Sequence, residues 1–136
     1  MRRNSDVAKI LAANRAILGE GNVDSVGDFF APSYVAHGTG RSGLRGHAGI
    51  RRWVGKLHRA FRDLRLEVEI LAEGKGRVAW QRKLRGTLVG AFQGFPPSGR
   101  RLLWRDMVTS RFHRGLIAED WVITDLAEQL LRARGR

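Results

Sequence analysis

Beyond Phe61 the apolar residues of this chain change from helical to alternating spacing, and that switch constrains the fold more than any other feature. Before it, apolar stripes recur every three or four residues. Val7, Ile10, Leu11, Ile17 and Leu18 predict a helix over about 6–19, opened by Ser5 and stopped by Gly19 and Gly21. Val23, Val26, Phe29 and Phe30 predict a short second helix over about 23–30, ended by Pro32. Tyr34 to His37 then forms a brief extended piece. Ile50, Trp53, Val54, Leu57, Ala60 and Phe61 predict a third helix over about 47–61. After it, Leu64, Leu66, Val68 and Ile70 alternate with Arg65, Glu67 and Glu69, which is a strand with one wet face. Gly74-Lys75-Gly76 turns that strand into a second, Arg77–Gly86. Gly90, Gly94, Pro96, Pro97, Ser98 and Gly99 mark the next break. Strands over about 100–113 and 116–124 follow, joined at Arg114-Gly115, and a helix over about 126–133 closes the chain. Helices, then mostly antiparallel strands, then a helix make an α+β layer arrangement. A strongly curved sheet wrapped round a long helix leaves a hollow end, where small ligands bind.

A chain of 136 residues fits one domain, 1–136, with 43 % apolar residues for its core. Asp6, Lys9, Asn14 and Arg15 break up the N-terminal apolar positions, so a signal peptide is not expected. No apolar run is long enough for a transmembrane helix. Cysteine is absent, which excludes disulfides, thiolate metal sites and cysteine nucleophiles. A cytoplasmic location is the simplest expectation. The formal charge of +12 invites a nucleic-acid partner, but no single run or stripe carries it. Arg outnumbers Lys 21 to 4, as a genome-wide codon bias also produces, and a solvated surface is the plainer expectation.

The run from Gly115 to Arg136 carries the strongest chemical signal. Strict alternation puts Ile117, Glu119, Trp121, Ile123 and Asp125 on one strand face, apolar apart from Glu119 and its last position. Asp125 then ends an apolar wall. A poorly hydrated carboxylate has a raised pKa and can shuttle protons near neutral pH. A second reading stands beside that one. Asp125-Leu126-Ala127-Glu128 fits the capping box, and a capping carboxylate that accepts backbone N–H bonds is a weaker base. Asp106 and Asp120 also lie in strands, on faces polar enough for exposure.

Gly38-Thr39-Gly40-Arg41-Ser42-Gly43 matches G-x-G-x-x-G letter for letter. The dinucleotide reading needs a full strand before it and a strand–helix–strand unit around it, and neither is evident. A plain connection is expected. His47, His58 and His113 show no paired metal-ligand spacing, and no metal site is expected. The G-x-S-x-G elbow of serine hydrolases is missing.

Several stretches together resemble one family. They are Tyr34-Val35-Ala36-His37-Gly38, the Phe61-Arg62-Asp63-Leu64 corner, Gly86-Thr87-Leu88-Val89-Gly90-Ala91-Phe92, Gly94-Phe95-Pro96-Pro97-Ser98-Gly99, and Gly115-Leu116-Ile117-Ala118-Glu119-Asp120-Trp121 followed by Asp125. In this order they look like the SnoaL-like polyketide cyclases, or ester cyclases, of the nuclear transport factor 2-like superfamily. The resemblance implies a cone-shaped α+β barrel, dimeric through its sheet. It also implies a cofactor-free intramolecular aldol condensation on a flat, conjugated polyketide ester. The aspartate four residues after the tryptophan, here Asp125, would take an α-proton and return it to the new alkoxide. Two positions depart from the family pattern: Leu88 stands where a histidine is usual, and Arg62 where a proline is usual.

The remaining site candidates are read in the light of that resemblance, in which His37 matches the family's histidine after the first extended segment. Trp53, Trp80, Phe92, Trp104 and Trp121 could wall a pocket for a flat ligand. His37 could orient Asp125 or bind a carbonyl, or it could simply be a loop-end histidine. Arg111 could hold an anionic oxygen or stand solvated on its strand. The expectation is an enzyme with Asp125 as acid–base and His37 as helper. It would act on a hydrophobic small molecule without metal or cofactor, as a homodimer with no membrane or nucleic-acid partner. The alternative is a non-catalytic binding protein on the same scaffold.

Overall fold

Helical spacing at the N-terminus gives a helical layer, but not two regular helices. The computed structural model describes residues 2–38 and 43–134. Helix α1, Arg2–Ala13, runs directly into a π-helical segment, Asn14–Gly19. Val23–Asp28 forms a 3-10 turn rather than an α-helix. Strand β1, Phe30–His37, starts earlier than expected and includes Pro32. Pro32 is tolerated because its stretch falls in the register irregularity between Phe30 and Val35, where ladder bonds lapse. A short β2, Gly43–Arg45, follows and pairs with β1; the sequence gives no sign of it. Thr39 to Ser42, most of the rejected G-x-G-x-x-G match, lie outside the described residues.

Helix α2, Gly46–Ala60, buries Ile50, Val54, Leu57 and Ala60 at the expected spacing. Burying a side chain such as Leu57 contributes about 1.5–3 kcal/mol before entropy is counted. Phe61, expected to end that helix, instead opens β3, Phe61–Gly74. At the next corner Asp63 adopts a left-handed backbone, φ 58°, and the β3–β4 register shifts between Arg62 and Arg65. Strand β4 is Arg77–Leu88, β5 is Arg101–His113, β6 is Leu116–Thr124, and α3 is Leu126–Arg134. Lys75 and Gly76 both have positive φ, as do Arg114 and Gly115; two such central residues make tight turns that match the twist of antiparallel strands.

The six strands form one sheet in the order β2-β1-β6-β5-β4-β3, antiparallel except where β1 meets β6. This is the expected α+β class. Even-numbered residues of β4 and β5 face inward: Val78, Trp80, Leu84, Leu102, Trp104 and Val108 join the core with residues of α1 and α2. Among the described residues, no helix is long and apolar enough to cross a membrane.

Candidate active site

Strand register builds a polar wall inside this apolar interior. Arg82 on β4 stands directly opposite Asp106 on β5, and Ser110 on β5 stands opposite Asp120 on β6. Trp80, opposite Val108, reaches diagonally to Ser110. Across the parallel pairing, Ala36 of β1 aligns with Asp120, and Tyr34 faces inward two residues before it. All of these groups except Ser110, which stands behind Asp120, border a cavity of about 670 Å³. That volume suits a small organic ligand.

The acid at the centre is Asp120. It is 7 % exposed. The Tyr34 hydroxyl donates to its Oδ2 at 2.6 Å, and the Ser110 hydroxyl donates to its Oδ1 at 2.5 Å. Trp80 Nε1 donates to the Ser110 oxygen at 3.0 Å, which aims the serine proton at the carboxyl. Burial pushes the Asp120 pKa upward, because desolvation disfavours the anion. The Ser110 and Tyr34 hydrogen bonds and the Arg82 charge oppose that push without cancelling it. Tyr34 is raised well above 10.0 by its own burial and by the neighbouring Asp120, so it stays a hydrogen-bond donor.

Beside this group lies a second. Arg82 Nε donates to Asp106 Oδ2 at 2.8 Å, with both side chains almost fully enclosed. Arg82 Nη1 donates to Asn14 Oδ1 at 2.8 Å, and Asn14 Nδ2 donates to the Ile10 carbonyl at 2.9 Å. Asn14 begins the π-helical segment, and such irregular turns often mark functional sites. The guanidinium also lies over the rings of Trp80 and Trp53, at 5.2 and 5.8 Å. These contacts fix a cation at the cavity wall, where it can face developing negative charge.

The structure divides the sequence candidates into two sets. Trp53, Trp80, Phe92 and Trp104 line the cavity. Asp125, His37, Trp121 and Arg111 do not. For Trp121 and Asp125 the reason is a β-bulge in β6. Phe112 pairs with Ile117 but Arg111 pairs with Glu119, so Ala118 is the extra residue. An inserted residue exchanges the two faces of a strand. The inward face therefore runs Ile117, Asp120, Val122, Thr124, whereas unbroken alternation puts Ile117, Trp121 and Asp125 together. Trp121 is instead 37 % exposed on the outer sheet face. There it stacks on His37 with centroids 5.4 Å apart, and Arg77 lies 5.1 Å above its ring. His37 Nε2 and Arg111 Nε both contact Glu119, at 2.6 and 2.9 Å. Those two partners hold the Glu119 carboxyl below its ordinary pKa.

Asp125 is neither a dry base nor the expected cap. Its Oδ1 accepts the Arg105 backbone N–H at 2.8 Å, and its Oδ2 accepts from the Gln129 side chain at 3.3 Å. The carboxylate ties the start of α3 to strand β5, in an outer groove lined by Arg100, Arg101, Arg105 and Arg132. The Leu126 N–H is taken by Thr124 Oγ1. Replacing Asp125 with Ala is expected to cost about 1 kcal/mol of stability, the worth of one or two partly exposed hydrogen bonds. Chemical denaturation measures it, and a loss above about 3 kcal/mol would show that the latch does more.

Asp106 and Asp120, expected to be exposed, are 3 % and 7 % exposed. Asp106 was legible in principle: Leu102, Trp104, Asp106 and Val108 form the more apolar face of β5. Asp120 was hidden by the bulge. Leu88, at the position of the family's histidine, is a core residue whose backbone pairs with Arg100 and Gly99. It is absent from the cavity lining. Among the described residues no three His, Asp or Glu side chains converge in a way that could hold a metal ion.

Comparison with known proteins agrees with this architecture. The sequence model of the SnoaL-like polyketide cyclases matches residues 8–132. A solved structure assigned as a SnoaL-like polyketide cyclase, from Jannaschia sp. CCS1, superposes with a TM-score of 0.85 at 24% identity, covering 97% of this chain and 92% of that one. IdmH from Streptomyces antibioticus, assigned as a polyketide cyclase, gives 0.78 at 26% identity over 96% and 99% of the two chains. AclR from Streptomyces galilaeus, assigned as a hydroxylase, gives 0.81 at 25% identity over 98% of each. A search of curated proteins finds no match. With its six-stranded sheet and flanking helices, and with the family's sequence model matching nearly its whole length, the chain belongs to the SnoaL-like polyketide cyclase family.

Proposed function

We propose that this protein catalyses cofactor-free proton transfer on a hydrophobic, flat small molecule, of the kind that drives an intramolecular aldol closure of a polyketide ester. The observation that carries the reading is Asp120, a buried carboxyl at the wall of an aromatic cavity, held between two hydroxyl donors. In this role Asp120 takes a proton from the carbon beside a substrate carbonyl. The resulting enolate oxygen is stabilised by the Arg82 guanidinium or the Tyr34 hydroxyl. The enolate carbon attacks a second carbonyl, and the proton held on Asp120 returns to the new alkoxide. A raised pKa suits both halves of that cycle, since the group must be a competent base and then a competent acid.

The test is solvent exchange. A flat aromatic methyl ester with an enolisable side chain is incubated in D2O with the protein, and deuterium uptake at the α-carbon is followed by NMR. Uptake above the buffer rate supports proton-transfer catalysis, even where no ring closes. Binding of the ester without any exchange supports the alternative, a non-catalytic ligand carrier on the same scaffold.

The same reading pairs two chains through the outer sheet face. Leu103, Met107, Trp121 and Ile123 are exposed there, with Met107 directly opposite Ile123. Sedimentation equilibrium giving a monomer mass at micromolar concentration would remove that part.

A further inference from the structure

The mouth of the cavity has a charge that the proton-transfer chemistry does not use. Arg52, Lys56 and Arg59 all border the cavity, and all three are exposed. They lie on α2 at spacings of four and three residues, which puts them along one face of the helix. Among the described residues, no ion pair joins any of them to an acid. The acids that border the cavity are Asp106 and Asp120. Asp106 is already taken by Arg82, and Asp120 is bound deep in the wall by Tyr34 and Ser110. The other exposed lining residues, Gly38, Gly43, Ala91, Gln93 and Thr124, carry no charge. An aromatic interior thus opens through a rim that is cationic and not neutralised.

We infer that the ligand is an anion: a flat aromatic molecule whose carboxylate rests on the Arg52–Lys56–Arg59 rim while its apolar body enters among Trp53, Trp80 and Trp104. This deepens the proton-transfer reading and rests on it. The rim also sets orientation. A carboxylate held at the mouth sends the other end of the molecule toward Asp120 and Arg82. Long-range attraction to three like charges raises the encounter rate as well, in a salt-dependent way.

A matched pair of fluorescent probes tests the inference. 1-Anilinonaphthalene-8-sulfonate carries an anionic group that stands in for the carboxylate. N-phenyl-1-naphthylamine has the same ring system without it. The wild-type protein is expected to bind the anionic probe about tenfold more tightly at low salt, and the preference shrinks as salt rises. In the R52Q/K56Q/R59Q variant the preference is expected to vanish while affinity for the neutral probe is kept. The exposed positions make this variant a mild change, and circular dichroism checks its fold. An R101Q/R105Q variant, altered on the outer sheet face, is expected to retain the preference. Equal binding of both probes to wild type overturns the anionic ligand and leaves the proton-transfer reading standing. A preference that survives the triple change, or that disappears in R101Q/R105Q, overturns it too. Binding of neither probe removes the cavity as a ligand site, and both readings with it.

Discussion

Replacing Asp120 with Asn is expected to lower the rate of α-deuterium exchange by two to four orders of magnitude, about the loss seen when a positioned acid–base group is removed. Asn keeps the shape of the side chain; its oxygen can accept from one of the Tyr34 and Ser110 hydroxyls and its NH2 can donate to the other, so ligand affinity is expected to change by less than a few-fold. Loss of rate without loss of binding separates a chemical role from a packing role. Tyr34→Phe sharpens the distinction. It removes a hydrogen bond that opposes the raised pKa of Asp120. The remaining activity of Tyr34→Phe is therefore expected to shift its pH profile upward. An Asp120→Asn variant that exchanges protons at the wild-type rate would place the chemistry elsewhere.

The second large effect is on stability. Arg82→Met leaves the Asp106 carboxylate enclosed without its counter-charge, and also strips the Asn14 side-chain oxygen of its donor. Breaking one side of a buried ion pair costs about 3–5 kcal/mol. In a chain of this size that corresponds to a fall in melting temperature of roughly 10 °C or more. The double change Arg82→Met with Asp106→Leu is expected to recover most of the loss, since two apolar groups of similar volume need no partners. Thermal unfolding of the three proteins decides it. A single variant as stable as wild type would mean that water or another residue takes over the Asp106 oxygens.

Much of the fold is legible in the sequence because hydrophobic period is a strong, local signal. The step from helix to strand, to within a residue, the two tight turns at Lys75-Gly76 and Arg114-Gly115, and the start of β6 are all written in residue order. The N-terminal helices are less legible. Nothing local shows that α1 widens into a π-segment at Asn14, or that Pro32 lies inside a strand; both depend on what packs against them. The tryptophans at 53, 80 and 104 reach the cavity because their strands and helix keep an unbroken period. The acid was misplaced because Ala118 inserts a residue into β6. One bulge exchanged the faces, carried Trp121 and Asp125 outward, and turned Asp120 inward. A pairing partner is needed to see it, and the sequence of one strand contains none. Asp120 and Asp106 are also the sort of residue that local rules assign to the surface, since a buried carboxyl is tolerated only with specific partners on other strands.

The central claim is that Asp120 holds its proton more tightly than an ordinary aspartate because it is dry. A group with a raised folded-state pKa binds more protons when folded than unfolded. Its contribution to stability is therefore complete below the ordinary value of 3.8 and is lost as the pH rises through the folded value. The direct measurement is a carbon-13 NMR titration of the Asp120 side-chain carboxyl, assigned by its disappearance in Asp120→Asn. A midpoint clearly above 3.8 is the expected result. A midpoint at or below that value would mean a solvated or fully paired anion, and the acid–base role assigned to this residue would be wrong.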